Sequence, residues 1–255
     1  MRNAESRKKL DHGYIKQATQ YLLDLLDEYK RRVTFFVVSE IWEWFPDLVE
    51  NIERNGHEVA YHTHTHRRIQ EEEDLFEELR LSENFLEEFK PVGFRAPEAR
   101  LRIPHLAILA ERGFTYDSSG YGNFRSSAVV RGVREIPIST LRVFNSASNA
   151  CDLPRNLAKT LVHGELPLGS GFFFSALAPA STFLLPALSC QNDIPVLFIH
   201  PWQVLSPGEI SPRTNSNLLQ QIAMILYSRN CVWPLLYLLG HSQTVRLRDL
   251  ASWMK

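Results

Sequence analysis

The chain has 255 residues, 44% of them apolar, and a formal net charge of −1. That length holds one large α/β domain or two ordinary ones, with ample apolar material for a core. A near-neutral balance, with neither a basic face nor an acidic tail, argues against a nucleic-acid partner.

Residues Met1 to Lys9 are charged and lack an apolar stretch, so they do not read as a signal peptide, and the chain as written is expected to be cytoplasmic. Ile15, Ala18, Leu22, Leu25, Leu26 and Tyr29 then recur at helical spacing. Arg32 to Val38, β-branched and aromatic, predicts a buried strand. Phe45, Leu48, Val49 and Ile52 predict a second helix that Gly56 ends, followed by a short strand over 58–61. A third helix carries Leu75, Leu79, Leu86 and Phe89; its opening run Glu71 to Asp74 suits a helix N-terminus better than a cation site. Pro91 ends that helix before a strand at 92–94, and a helix over 104–112 stops at Gly113 before Phe114-Thr115-Tyr116. Further strands are predicted at 135–138, 195–199 and 243–247, with an amphipathic helix around 216–228. Phe172 to Cys190 is uncharged and long enough to span a bilayer, yet Pro179, Pro186 and several hydroxyl residues favour a buried or interfacial wall, so no transmembrane anchor is expected. Gly169-Ser170-Gly171 fits a plain loop as well as a loop beside a sugar. Cys151, Cys190 and Cys231 are odd in number and widely spaced, which predicts buried free thiols. With no linker and no repeat, the pattern is one α/β domain with parallel strands.

The most informative segment is His62-Thr63-His64-Thr65-His66, directly after the strand at 58–61. Neutral imidazole is the commonest ligand for zinc and similar ions. In a helix His62 and His66 share a face; in a strand all three histidines point the same way. Either arrangement can close on one ion, and the alternative is a His-rich surface loop. In parallel α/β folds sites form at the carboxyl ends of strands. That rim would also hold Arg95-Ala96-Pro97-Glu98, Asp117-Ser118-Ser119 and His200-Pro201-Trp202. Taken singly, each has a structural explanation: a surface ion pair for Arg95, turn chemistry at 117–119, a satisfied core histidine at 200.

From about Leu22 onward the chain resembles the polysaccharide deacetylases of carbohydrate esterase family four, which include the chitooligosaccharide deacetylases. The resemblance rests on Thr34-Phe35-Phe36-Val37, on Gly56 to His66 as a His-(Ser/Thr)-x-x-His metal motif, on Phe94-Arg95-Ala96-Pro97, and on Phe198-Ile199-His200. It implies a distorted (β/α) barrel of about seven parallel strands. It implies a metal-dependent hydrolase that removes N-acetyl groups from an N-acetylated glycan or oligosaccharide, with a divalent metal, zinc first. It assigns His62 and His66 as metal ligands with His64 as a bystander. Arg95 would orient the base and His200 would act as general acid. Pro97, Asp117, Ser118 and Trp202 would bind substrate.

The chain departs from the family at its first motif, Thr-Phe-Asp-Asp. The nearest candidate is Asp11-His12-Gly13, twenty residues ahead of Thr34, with Asp11 as base and His12 as third ligand. Ser6 to Leu10 is a poor buried strand. Three readings stand open: a working variant, an inactive site kept as a carbohydrate-binding module, or an incomplete first strand within about 1–13. A hydrolase of the same fold acting on a cyclic amide or ureide is a further alternative, against which the His-x-x-x-His spacing argues.

Overall fold

Two short strands of opposite character set the frame. β1 (Thr34–Val37) is aromatic and half-buried, while β2 (Glu58–Tyr61) is buried at every position, as a central parallel strand must be. They pair in parallel, Thr34 opposite Glu58 and Val37 opposite Tyr61. The computed structural model describes residues 4–124, 127–142, 157–162, 164–189, 194–204 and 230–253. The helix expected around 216–228, together with Cys151 and Cys190, lies outside them.

β3 (Gly93–Phe94), β4 (Tyr116–Asp117) and β7 (Val133–Glu135) extend the sheet in parallel, and β6 (Ala128–Val130) closes its far edge antiparallel to β7. β5 (Tyr121–Gly122) pairs with β8 (Ile138–Ser139), and β9 (Leu141–Arg142) with β10 (Glu165–Leu166). The described residues thus form a mixed six-stranded sheet, five strands of it parallel, and two further strand pairs, within the expected α/β class. Gly93 is required by packing: a Cβ there would lie 2.1 Å from the Tyr116 ring. At the amino ends of the strands, Glu58 accepts hydrogen bonds from the Thr34 and Tyr116 hydroxyls (2.6 and 2.9 Å) and from the Arg248 amide.

Helices cover the sheet where the periodicity places them. α2 (Tyr14–Glu28) buries Ala18, Leu22, Leu25 and Leu26 against Leu235 and Leu239 of α11 (Val232–His241). α3 (Ser39–Trp44) and α4 (Pro46–Arg54) follow β1, and Gly56 adopts a positive φ after α4. The predicted third helix is two helices, α5 (Glu72–Leu81) and α6 (Glu83–Phe89). The break is at Ser82, whose buried hydroxyl is drawn to Glu78 O, Ser39 and Tyr61. α7 (Ile103–Glu111) completes the main core, in which Tyr61, Leu75, Leu79, Phe85, Phe94, Leu106 and Leu109 are almost wholly buried.

Three further expectations change. Residues 4–13 hold no strand: α1 (Ala4–Asp11) is a helix, as its Ala-Glu-Lys-Lys-Leu composition favours. Residues 195–199 form no ladder: Val196 N bonds the Ser139 side chain in place of a backbone carbonyl, and the Phe198 N bond to Gly169 O stands without a ladder partner. Residues 243–246 are loop, and Leu247 opens α12 (Leu247–Trp253), its amide donating to the Thr34 hydroxyl. Gly169 serves the fold: a Cβ there would meet Val196 O at 2.1 Å. The uncharged segment after it forms α9 (Gly171–Ala176) and α10 (Ala180–Ser189), and among the described residues no helix is long and apolar enough to cross a membrane. Cys231 is a buried free thiol.

Candidate functional site

The histidine segment leaves β2 as an irregular loop, neither of the regular geometries its spacing allowed. Thr63 (φ 66°) and His66 (φ 58°) adopt left-handed backbone, which is strained for a β-branched threonine. The surroundings over-determine that shape. Ser39 N donates to Thr63 O, and His66 N to the Thr63 hydroxyl. The Glu78 carboxylate, from α5, accepts three bonds of 2.7 Å, from His64 N, Thr65 N and the Thr65 hydroxyl. His64 turns inward, its Nδ1 2.8 Å from the Ser39 hydroxyl.

His62 and His66 face one another with ring centroids 4.8 Å apart. His62 Nδ1 lies 2.6 Å from the Arg95 carbonyl oxygen. A carbonyl only accepts, so Nδ1 carries the proton and Nε2 keeps a free lone pair. Burial, first of all, holds His62 well below the usual imidazole range and lowers His66, so both rings are neutral near pH 7.

Arg95 leaves β3 into the interior. Its guanidinium donates to Ser118 O and to the Ser118 hydroxyl, both at 2.7 Å, and stacks over the Phe36 and Phe198 rings at 4.2 and 5.0 Å. Among the described residues it makes no ion pair, and burial pulls it down to about 10. His200 enters from the extended 194–200 segment. Its ring stacks on Trp202 (4.1 Å, 14°), its amide donates to the Gln203 side chain, and it lies near enough that protonating it would disfavour a proton on His62. Burial lowers it to about 3.

The structure therefore brings together His62, His66, Arg95, His200 and Trp202. It does not bring Asp11 or His12 to them. The Asp11 carboxylate accepts the Ile15 amide at 3.1 Å at the start of α2, and His12 is exposed. Asp117 and Ser118 line no open groove: both are wholly buried beneath Arg95, and Pro97 is buried too. Sequence reasoning missed Glu78 and Glu135. Glu78 stands in an acidic run whose other members are exposed or half-buried, and only its place one turn from Leu75 and from Ser82 hinted that it points inward.

Paired imidazoles, one locked by a carbonyl and both neutral, have the donor chemistry of a zinc-type site and supply two of the usual three protein ligands. Among the described residues, no group of three His, Cys, Asp or Glu side chains gathers tightly enough to hold an ion.

Residues 9–116 match the sequence model of the family Polysaccharide deacetylase. The chain is 31% identical over 109 residues to the peptidoglycan deacetylase-like protein FGM2 of Gibberella zeae, covering 40% of this chain and 32% of that one. It is 28% identical over 116 residues to a peptidoglycan-N-acetylglucosamine deacetylase of Bacillus cereus, covering 44% and 42%. The matched segments thus span less than half the length of these curated relatives. A solved structure from Mycobacterium smegmatis, assigned to the polysaccharide deacetylases, aligns over 92% of this chain and 76% of that one with TM-score 0.56 and 21% identity. The Puue allantoinase aligns over 99% and 76% with TM-score 0.53 and 16% identity. These two show a shared α/β fold; the deacetylase resemblance itself holds over residues 9–116, which include His62, His66 and Arg95.

Proposed function

With residues 9–116 matched to the polysaccharide deacetylases, we propose that the chain is a metal-dependent hydrolase that removes N-acetyl groups from an N-acetylated glycan. The observation that carries this reading is the His62–His66 pair, its first ring locked by the Arg95 carbonyl and its loop held in strained backbone by Glu78. His62 and His66 would hold a divalent ion, zinc first, which when bound supplies Lewis acidity and an activated water. His62 presents Nε2 because its other nitrogen is engaged. Arg95 sets a fixed positive charge beside the rings. Trp202 offers a stacking face next to His200 for a sugar ring. His200 is neutral at rest, so it must gain a proton during turnover; a ring held down to about 3 then releases that proton readily to the departing nitrogen. The same reading takes the mainly parallel sheet as part of a distorted (β/α) barrel, supported by the shared rim of His62, Arg95 and His200. Asp11 has no part in it, since its carboxylate is committed to α2.

One observation favours a second reading, a carbohydrate-binding module without turnover: among the described residues no carboxylate joins the histidine pair. Acetate release from N-acetylchito-oligosaccharides, measured with zinc, cobalt and nickel supplied in turn, separates the two. Release that disappears in a His62→Ala, His66→Ala variant supports the enzyme. Binding without release under every metal supports the module. Equal metal content in wild type and that variant sinks the metal site itself.

A further inference from the structure

Asp117 and Glu135 end adjacent parallel strands, stand opposite one another in register, and are both fully buried. Asp117 is well supplied with donors: the Ser119 hydroxyl reaches one oxygen at 2.7 Å and the Ser119 amide the other at 3.1 Å. Glu135 is not. Gly120 N donates to Oε1 at 2.7 Å, whereas the buried Oε2 has no donor, and the Glu135 carboxyl as a whole is within reach of the Asp117 carboxyl. The charged group facing this pair is Arg95, at the end of β3. The Tyr116 and Tyr121 phenols act in turn on Arg95, and neither carboxyl forms an ion pair with it among the described residues.

Two carboxylates in contact in a dry interior cannot both be ionised. One proton between them removes the repulsion and supplies the donor that Oε2 lacks. The pair then carries one negative charge, which matches the single positive charge of Arg95. Hydrogen bonds from Ser119 favour the charged form of Asp117, so the proton belongs on Glu135. We propose that Glu135 is held as the neutral carboxylic acid and donates from Oε2 to Asp117, which makes it the positioning residue beneath Arg95. The link upward is continuous. Asp117 holds the Ser119 hydroxyl, which accepts the Ala96 amide next to Arg95; Ser118, between them, receives the guanidinium. Burial and the neighbouring Asp117 charge both push Glu135 well above the usual carboxyl range, in the same sense.

The inference needs the deacetylase reading only for its activity readout, so two other readouts carry the test. Infrared spectra at neutral pH should show a protonated carboxyl band in the wild type that is absent in Glu135→Gln, whose amide donates to Asp117 without titrating. A folded-state pKa raised above the unfolded value makes stability fall as pH rises above about 4.3. Wild-type Tm should show that alkaline decline, and Glu135→Gln should lack it, melting about 3 °C higher at pH 8. Glu135→Ala, which strips the donor from a buried charge, should melt below both at every pH. Where the wild type releases acetate, Glu135→Gln should keep kcat/KM within about threefold. Spectra identical in wild type and Glu135→Gln, or a Glu135→Gln protein that fails to fold or melts as low as Glu135→Ala, overturn the proposal. A wild type without deacetylase activity but with the band and the alkaline decline leaves it standing and counts against the functional reading alone.

Discussion

Two parts of the chain, residues 62–66 and residues 4–13, have opposite physical characters. The first is an irregular loop with two left-handed residues, yet a buried carboxylate, two hydroxyls and the backbone after β1 all hold it. The second is mostly a regular helix in which no residue is buried, tied down by the Arg7–Glu40 ion pair and by the Asp11 carboxylate, which accepts an amide of the next helix. Regularity and organisation are therefore different things. A site is preorganised where the surroundings force a conformation the chain would not choose, and 62–66 meets that test. Residues 4–13 adopt what their own propensity offers.

The sharpest way to break the contrast is to remove the pair itself. Replacing His62 and His66 by alanine should abolish bound metal, measured by elemental analysis after dialysis, with little change in Tm, since neither ring is part of the core. The next largest effect is one residue removed from the rings. Glu78→Ala leaves the amides of His64 and Thr65 and the Thr65 hydroxyl without their acceptor. It should cost about 3 kcal/mol by denaturant titration and weaken metal binding at least about tenfold. Glu78→Gln should recover most of both, because its carbonyl can serve the two amides while its NH2 turns to the Thr65 hydroxyl. Equal losses in Ala and Gln would mean that charge, not loop geometry, is what Glu78 contributes.

That contrast also explains how much the sequence disclosed. The helices with clean periodicity, Leu22 to Leu26 and Leu48 to Ile52, lie where the spacing puts them, and the strand at 58–61 matches residue for residue. His62, Arg95 and His200 each directly follow an apolar run, His66 stands four residues after His62, and such runs end on one rim, which is why the sequence drew attention to them. The split of α5 from α6 was not legible, since it depends on Ser82 meeting Ser39 and Tyr61, which are distant in the chain. The family resemblance assigned Asp117 and Ser118 to a substrate groove, whereas both are buried, with Arg95 and Glu135 beside them. The spacing from Asp11-His12 to Thr34 suggested a site segment, but distance along the chain carries no information about whether the segment is strand or helix.

Acid should act on the well-held part of the molecule in a defined direction. His57, buried next to β1, accepts the Val33 amide on Nδ1, and burial lowers it to about 4. The unfolded chain takes up a proton near pH 6.5 that the folded chain refuses, so stability is complete above that pH and is lost as pH falls through the window down to about 4. At pH 5 the loss should be on the order of 2 kcal/mol relative to pH 7, seen as a lower denaturant midpoint with unchanged m. A His57→Gln variant, less stable at pH 7, should flatten this part of the profile. A profile equally steep in the variant would move the acid sensitivity to other groups, His200 first.

The smallest effects should come from residues 4–13, and their smallness is informative. Asp11→Ala removes an acceptor for the Ile15 amide at the start of α2, a cap-like contact worth about 1 kcal/mol. His12 is exposed with left-handed backbone, and His12→Asn, a residue that tolerates that conformation, should leave Tm unchanged. Neither substitution should alter metal content or the metal dissociation constant, because neither side chain faces His62 or His66. If His12→Asn weakened metal binding about tenfold or more while Tm held, the histidine would be a ligand. Residues 4–13 would then have to leave their helix and cross to the rim when the ion binds. The helix seen here would be one of two states, and the Arg7–Glu40 ion pair that ties it to α3 would have to break for it to move.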